Sequence, residues 1–215
     1  MRIDHLVWYS AELAAGEAWF SRRLDRAPAY GGVHPGEGTR NALVSLGEAT
    51  YVEILARDPA QDPASLDPEI RALKGEGLYH WAVGGVPLEE IAERARGAAI
   101  PASGIVTGGR ALPDGSRLGW RLLGIRDHGF GALVPFFIDW GASAHPAATA
   151  PLGGRLLGLE LFSPRAPELG RLLTALGLDF PVTARQSPGF TATLESARGR
   201  HALASFDPLP RGFII

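Results

Sequence analysis

Residues 2–9 of the chain, RIDHLVWY, form a strand-like run rich in apolar and β-branched residues. The stretch that follows, Glu12 to Leu24, carries apolar residues at helical spacing. These are Leu13, Phe20 and Leu24. The change of period from two to about 3.6 therefore predicts a strand followed by an amphipathic helix.

Further strands complete this first unit. Asn41–Leu46 and Tyr51–Leu55 are strand-like runs joined by Gly47-Glu48, a pairing typical of a tight hairpin. They follow a Pro/Gly-rich stretch from Ala29 to Gly38, and we interpret Gly31–Asn41 as a glycine-rich loop. The predicted order for residues 1–58 is β-α-β-β-β.

The same order recurs over residues 78–141. A strand at Tyr79–Val83 precedes a helix at about Pro87–Arg96, which has proline in its first turn. The later predicted features are a strand near Ile105–Arg110, a Pro113-Asp114-Gly115 turn, and strands at Arg117–Ile125 and Leu133–Trp140. Internal repetition of this kind indicates a fold built from duplicated units.

A third, less regular copy occupies residues 155–215. A strand from Leu156 and a helix at Ala166–Leu176 are followed by three short strands, at Pro181–Ala184, Thr191–Ser196 and His201–Phe206. This copy keeps the order of elements but loses the polar residues of the other two. We expect it to serve in packing or in closing one side of the fold.

Composition and charge limit the function classes. The chain has no cysteine, which excludes thiol nucleophiles, thiolate metal sites and disulfides. Its formal charge is −2 and its arginines are dispersed, so a small-molecule partner is favoured over nucleic acid. The opening MRIDHLVWYS has no signal-peptide pattern and no segment is long and apolar enough for a bilayer. We expect a cytoplasmic protein with no membrane partner.

Five strings within residues 1–146 resemble one known group of proteins. They are IDHLV (3–7), GGVHPGEGTRN (31–41), YVEIL (51–55), LGWRL (118–122) and PFFIDWG (135–141). Together with the Gly109-Arg110 and Pro113-Asp114-Gly115 pieces they resemble the glyoxalase-like subgroup of the vicinal-oxygen-chelate superfamily. Its members include glyoxalases, extradiol dioxygenases, epimerases and resistance proteins that only bind their target.

The resemblance implies an α+β fold of tandem βαβββ modules that form a half-open mixed β-barrel with helices outside. The third unit would be a degenerate βαβββ-like addition. Paired modules of this kind complete their barrel within one chain or across a dimer, so we expect a monomer or a homodimer. The resemblance also implies a divalent metal on the inner face, with ligands from the first and fourth strands of each module.

His5, Glu53 and His80 are the candidate metal ligands. Laying Ile3-Asp4-His5-Leu6 over Leu78-Tyr79-His80-Trp81 makes the two histidines equivalent. Two imidazoles and a carboxylate suit Zn²⁺, Mn²⁺, Fe²⁺ or Ni²⁺. The alternative interpretation is that both histidines are hydrogen-bonded core residues without a metal.

The fourth strand of the second unit lacks the expected carboxylate. Laying Tyr51-Val52-Glu53-Ile54 over Pro135-Phe136-Phe137-Ile138 places Phe137 opposite Glu53. A two-residue slip would bring Asp139 to the ligand position on the same strand face. Otherwise a three-ligand site of His5, His80 and Glu53 would have to suffice.

Residues predicted to bind substrate come from both halves of the chain. Hydrogen bonding is assigned to His34 and Asn41, an anion contact to Arg40, and aromatic lining to Trp120 and Phe137. Glu53 and His34 are the candidate catalytic groups for moving a proton.

Two functions remain open from the sequence. The first is a glyoxalase-like enzyme with metal-assisted lyase, isomerase or dioxygenase chemistry on a small oxygenated molecule. The second is a non-catalytic protein that sequesters a small molecule in the same cavity. Dinucleotide, P-loop and serine-hydrolase patterns are missing from the sequence.

Overall fold

The computed structural model describes residues 1–111 and 117–215. The predicted Pro113-Asp114-Gly115 turn lies outside these residues. Over the described ranges the chain has twelve strands, β1 to β12, and four α-helices, α1 to α4. None of the helices in these ranges combines the length and apolar character that crossing a bilayer requires.

The first unit consists of β1 (Arg2–Ser10), α1 (Leu13–Leu24), β2 (Ala29–His34), β3 (Thr39–Ser45) and β4 (Tyr51–Arg57). The interpretation of Gly31–Asn41 as a loop is therefore wrong in part, because Gly31–His34 belongs to β2 and Thr39–Asn41 to β3. The two strands β2 and β3 form an antiparallel hairpin, and the side chains on them alternate between the two sheet faces.

The second unit repeats the arrangement. A short helix that was not predicted, α2 (Pro68–Ala72), lies in the connection before this unit. The unit itself begins with β5 (Glu76–Gly84) and α3 (Leu88–Gly97). Its remaining strands are β6 (Val106–Ala111), β7 (Arg117–Leu123) and β8 (Phe136–Asp139).

The first eight strands form one sheet in the order β2-β3-β4-β1-β5-β8-β7-β6. Each half places its first strand beside its fourth, in parallel, and β1 pairs with β5 antiparallel at the centre. The two edge strands approach each other where Gly32 of β2 lies against Arg110 of β6. The predicted half-open mixed barrel with helices outside is confirmed.

The third unit forms a separate sheet. It comprises β9 (Arg155–Ser163), α4 (Ala166–Ala175), β10 (Val182–Ala184), β11 (Gly189–Ser196) and β12 (Gly199–Ala204). In the order β10-β9-β11-β12 the first strand, β9, lies between two strands of its own unit, whereas β1 and β5 each pair with one strand of their own unit and with each other. The predicted order along the chain is confirmed, although the strands pair differently.

Two apolar clusters divide the core. The larger covers the outer face of the barrel, where α1, α3, α4 and the small sheet pack on residues such as Leu6, Trp81 and Phe137. The smaller lies inside the barrel and includes Val7 and Phe136. Burial of apolar area on both faces stabilises the sheet by about 25 cal/mol per Å² removed from water.

Candidate functional site

A cavity of about 300 Å³ opens inside the barrel. One wall is polar and comes mainly from the first unit; the other is apolar and comes mainly from the second. The polar wall includes His5, His34, Thr39, Asn41, Glu53 and Arg110, the last from the second unit. The apolar wall includes Trp120, Leu122, Phe136, Ile138 and Phe213–Ile215. An apolar pocket with a few convergent polar groups is the usual form of a small-molecule site.

The two histidines lie at equivalent places. The β1–β5 pairing contains two bulges. On β1 the extra residue is Asp4, between Ile3 and His5. On β5 the extra residue is Tyr79, at the shift between Val7 and Trp8 of the partner strand. His5 lies opposite Ala82, and His80 lies opposite Val7. The equivalence predicted from the sequence thus extends to matching bulges.

Asp4 holds His5 in one orientation. The Asp4 side chain is 1% exposed. Its Oδ1 accepts a hydrogen bond from Nδ1 of His5 at 2.8 Å, and its Oδ2 accepts from Nε2 of His145 at 3.1 Å and from Nε1 of Trp140 at 3.2 Å. Burial alone would raise the pKa of the Asp4 carboxyl, but the hydrogen bonds and charges of His145 and His5 outweigh burial and hold that pKa well below its ordinary range.

The other ring nitrogen of His5 faces the Glu53 carboxylate. Because Nδ1–H donates to Asp4, Nε2 is left as the lone-pair nitrogen, 3.8 Å from Oε2 of Glu53. Parallel pairing of Val7 with Glu53 brings β4 to this distance. Tyr51 stacks on the imidazole with ring centroids 4.7 Å apart and keeps it in place.

His34, Thr39 and Asn41 form a hydrogen-bonded set around Glu53. Asn41 Nδ2 donates to Oε1 of Glu53 at 2.6 Å and lies 3.2 Å from Nε2 of His34. Nδ1 of His34 lies 2.8 Å from the Thr39 hydroxyl. Of the two carboxylate oxygens of Glu53, Oε1 is therefore occupied by Asn41, and Oε2 faces His5.

Arg110 is a cavity residue that the sequence analysis did not select. Its side chain is 7% exposed, and the Cβ that an alanine would add at Gly32 would lie 2.2 Å from its Nη1. Burial lowers the pKa of this guanidinium, and the charge of Glu53 opposes that effect. Strand alternation could have identified Arg110 as a cavity residue, because it shares one face of β6 with Val106 and Gly108.

His80 is engaged at both ring nitrogens. Nε2–H donates to the Val134 carbonyl at 2.9 Å, and Nδ1 accepts from the Phe213 amide at 3.1 Å. Burial lowers the pKa of His80 to about 4, in part against the hydrogen bond to Val134. Tyr79 stands where Asp4 stands in the first unit, so no carboxylate orients this imidazole.

The residue that stands opposite Glu53 in the second unit is Phe136, because Val7 pairs with Glu53 and Ala82 pairs with Phe136. The sequence comparison that placed Phe137 opposite Glu53 was therefore wrong by one residue. Phe137 is 0% exposed and packs in the outer core, so its predicted place in the pocket is corrected to Phe136. The Phe136 ring contacts both histidines, at 5.4 Å from His5 and 5.2 Å from His80.

The other predicted pocket residues divide between the faces. Trp120 lines the cavity as expected. Arg40 is not among the residues that line the cavity, since it alternates on β3 with Thr39 and Asn41, which do line it. Asp139 pairs with Arg121 away from the cavity lining, so the two-residue slip does not supply a ligand.

The donor atoms do not fit the divalent metal that the resemblance implies. Within the described ranges there is no group of three His, Asp or Glu side chains arranged to hold a metal ion. His80 has no free nitrogen, Phe136 replaces the second carboxylate, and Asn41 occupies Oε1 of Glu53. Only His5 Nε2 and Glu53 Oε2 remain, fewer than the three protein ligands of a typical catalytic site.

Solved structures resemble this fold at low sequence identity. A hypothetical protein from Staphylococcus aureus aligns over 93% of this chain and 84% of its own, with a TM-score of 0.65 and 16% identity. Methylmalonyl-CoA epimerase from Mycobacterium tuberculosis aligns over 63% of this chain and 84% of its own, at TM-score 0.45 and 19% identity. The Streptomyces coelicolor epimerase with 2-nitronate-propionyl-CoA aligns over 68% and 99%, at TM-score 0.47 and 17% identity. The two epimerase alignments are too loose to bear on function.

No curated protein matches the sequence significantly. A family model does match, and its description is glyoxalase-like domain. The match runs over residues 3–177, which include the barrel from Ile3 onward, both bulges and the polar residues of the cavity. The chain therefore belongs to the glyoxalase-like domain family.

Proposed function

We propose that this protein is an enzyme that removes a proton from a carbon atom of a small molecule bound in the barrel cavity, with His5 as the base. The observation that carries the proposal is the buried Asp4 carboxylate at 2.8 Å from Nδ1 of His5. That hydrogen bond fixes the tautomer in which Nε2 carries the lone pair and faces the cavity. An oriented imidazole is the commonest general base in proteins.

Two carboxylates lie beside the imidazole that would receive the proton. The substrate C–H proton passes to Nε2, and the electron pair stays on the substrate as an enolate or a similar anion. The resulting imidazolium lies between the Asp4 and Glu53 carboxylates, and Oε2 of Glu53 is 3.8 Å from Nε2. An imidazolium held by a buried carboxylate is stabilised in the same way as in hydrolase triads.

Glu53 and His34 complete the proton path in this proposal. Asn41 fixes the Glu53 carboxylate through Oε1, so Oε2 is the oxygen that takes the proton onward or returns it. His34, with Nε2 at 3.6 Å from Oε1 of Glu53, is the next titratable group towards the half-exposed β2–β3 hairpin. The chemistry class is that of the isomerases and lyases whose reactions begin with loss of a proton beside a carbonyl. Dioxygenase chemistry has no fitting donor set here.

Deuterium exchange tests the proposal without knowledge of the full reaction. The protein is incubated in D₂O with 2-oxo acids, 3-oxo acids and acyl thioesters, and loss of the acidic C–H signal is followed by ¹H NMR. Exchange by the wild type is expected to fall on the order of 10²-fold in His5→Gln. His201→Gln, on β12 outside the barrel, is the matched control and should keep the wild-type rate. Equal exchange by His5→Gln and the wild type would overturn the proposal.

A non-catalytic binding protein is the second candidate. Phe136 in place of a second carboxylate and the apolar Phe213–Ile215 segment against the cavity favour it. Tight binding of a cavity ligand with no detectable exchange for any compound of the panel would support this function over the first.

A further inference from the structure

The cavity holds a buried positive charge without a matching anion nearby. Arg110 is 7% exposed, and its Nη1 has no hydrogen-bond partner among the described residues. Within those residues no carboxylate oxygen lies within 4.0 Å of its guanidinium, because every ion pair found there involves other residues. A buried charge left unpaired is strongly unfavourable, so a partner for it is expected.

Two carboxylates beside the cavity, those of Asp4 and Glu53, are already engaged. Asp4 accepts hydrogen bonds from His5, His145 and Trp140. Glu53 accepts from Asn41 and faces His5, and its charge acts on Arg110 only from a distance. Glu37 also lines the cavity but forms no ion pair with Arg110, so no carboxylate of the described residues meets the Arg110 charge.

We propose that Arg110 binds the carboxylate of a small acid with an apolar tail, and that this carboxylate fixes the ligand beside His5. The proposal rests on the proposed function only for the claim that the bound acid is the substrate. A guanidinium presents paired N–H groups that match a carboxylate.

The remaining walls define the rest of the ligand. Arg110 is the only arginine or lysine that lines the cavity within the described residues, so one negative charge is matched and a phosphate dianion is not. Trp120, Leu122, Phe136 and Ile138 form the apolar wall and suit a short branched or aromatic tail. The volume of about 300 Å³ is at the lower end of ligand pockets, which excludes a large ligand from full burial.

Isothermal titration with three matched probes tests this assignment. They are 4-methylpentanoate, its neutral analogue 4-methylpentanamide, and 3-methylbutyl phosphate. The wild type is expected to bind the carboxylate most tightly, and Arg110→Gln to weaken that binding about 10- to 100-fold, as loss of a charge-assisted hydrogen bond does. Arg110→Lys retains the charge and should lose less. Arg200→Gln, an exposed arginine of β12, is the control with the same change in net charge.

Three outcomes would contradict the assignment. They are carboxylate binding no tighter than amide binding, tighter binding of the phosphate, and loss of binding in Arg40→Gln in place of Arg110→Gln. Binding is measured without turnover, so the result is separable from the exchange test. Carboxylate binding that depends on Arg110 without proton exchange supports this inference and rejects the enzyme. Exchange of a substrate with a free carboxylate that is equal in the wild type and Arg110→Gln supports the enzyme and contradicts the claim that Arg110 holds its substrate.

Discussion

Asp4 and His5 are consecutive residues of one strand, yet Oδ1 of Asp4 accepts a hydrogen bond from Nδ1 of His5 at 2.8 Å. Consecutive strand residues normally point to opposite faces of a sheet. The register shift between Ile3 and His5 changes that geometry and lets the carboxylate hold the imidazole. The local bulge is thus what couples a buried acid to a cavity base.

Asp4→Asn is expected to destabilise the fold and to slow proton exchange. An amide has only one acceptor oxygen for the three donors that Asp4 now satisfies, so unfolding in urea at pH 7 should show a loss of about 1–3 kcal/mol. Exchange should fall on the order of 10²-fold because the His5 tautomer is no longer fixed. An Asp4→Asn protein with wild-type exchange would contradict the role of Asp4.

The pH dependence of that loss follows from the lowered pKa of Asp4. A carboxyl whose folded pKa lies below its unfolded pKa contributes stability above the unfolded value of about 4. That contribution disappears as the pH falls further towards the folded pKa. The difference between wild type and Asp4→Asn should therefore shrink below about pH 4, and a constant difference down to pH 2 would contradict the assignment.

His80 predicts a separate window of acid sensitivity. Its folded pKa of about 4 lies below the unfolded value near 6.5, so the unfolded chain takes up a proton first as the pH falls. Stability is fully present above about pH 6.5 and declines by roughly 3 kcal/mol between pH 6.5 and 4. The free energy of unfolding, measured with urea at several pH values in this range, should change less steeply with pH in His80→Gln than in the wild type. His201→Gln should keep the wild-type pH dependence. The same pH dependence of the unfolding free energy in all three proteins would be inconsistent with a buried neutral His80.

Gly212→Ala should be destabilising for two separable reasons. Gly212 has φ +78°, and an added Cβ would lie 2.8 Å from the His80 ring. Gly199 also has positive φ, +104°, but no atom lies within 4 Å of its Cβ position. Gly199→Ala should lose about 1 kcal/mol from backbone strain alone, and Gly212→Ala should lose more. Equal losses of thermal stability in the two variants would mean that Gly212 does not pack closely against the His80 ring.

Divalent metals are expected to leave the thermal stability unchanged. Of the three predicted ligands, His5 and Glu53 keep one free donor atom each and His80 keeps none, and the described residues contain no group of three side chains suited to a metal. A metal bound at 100 times its dissociation constant would stabilise the fold by about 2.7 kcal/mol. Melting curves with Zn²⁺, Fe²⁺, Mn²⁺ or Ni²⁺ should show no such rise. A rise that His5→Ala abolishes would restore the metal interpretation.

The repeated units and the matching histidines could be predicted from the sequence because strand and helix periods differ and the two units align around His5 and His80. The register of β8 could not be. Pro135-Phe136-Phe137-Ile138 is apolar at every position, and such a run does not reveal which residues face the cavity. Phe137 was therefore chosen where Phe136 lies.

The contacts that decide the site connect distant parts of the chain. The Phe213 amide donates a hydrogen bond to Nδ1 of His80, which is 133 positions earlier in the sequence. Arg110 contacts Gly32 where the two edges of the sheet approach each other. Neither has a local pattern. Asp4 was passed over because strand alternation alone places it away from the cavity, and only the bulge turns it towards His5.

The ring ¹⁵N chemical shifts of His5 test the central claim most directly. Long-range ¹H–¹⁵N correlation spectra of the wild type and of Asp4→Asn report which nitrogen carries the proton. The bond to Asp4 predicts the Nδ1–H tautomer with an unprotonated Nε2 in the wild type, and a mixture of tautomers in Asp4→Asn. A wild-type spectrum with the proton on Nε2 would contradict the assignment of His5 as the cavity base.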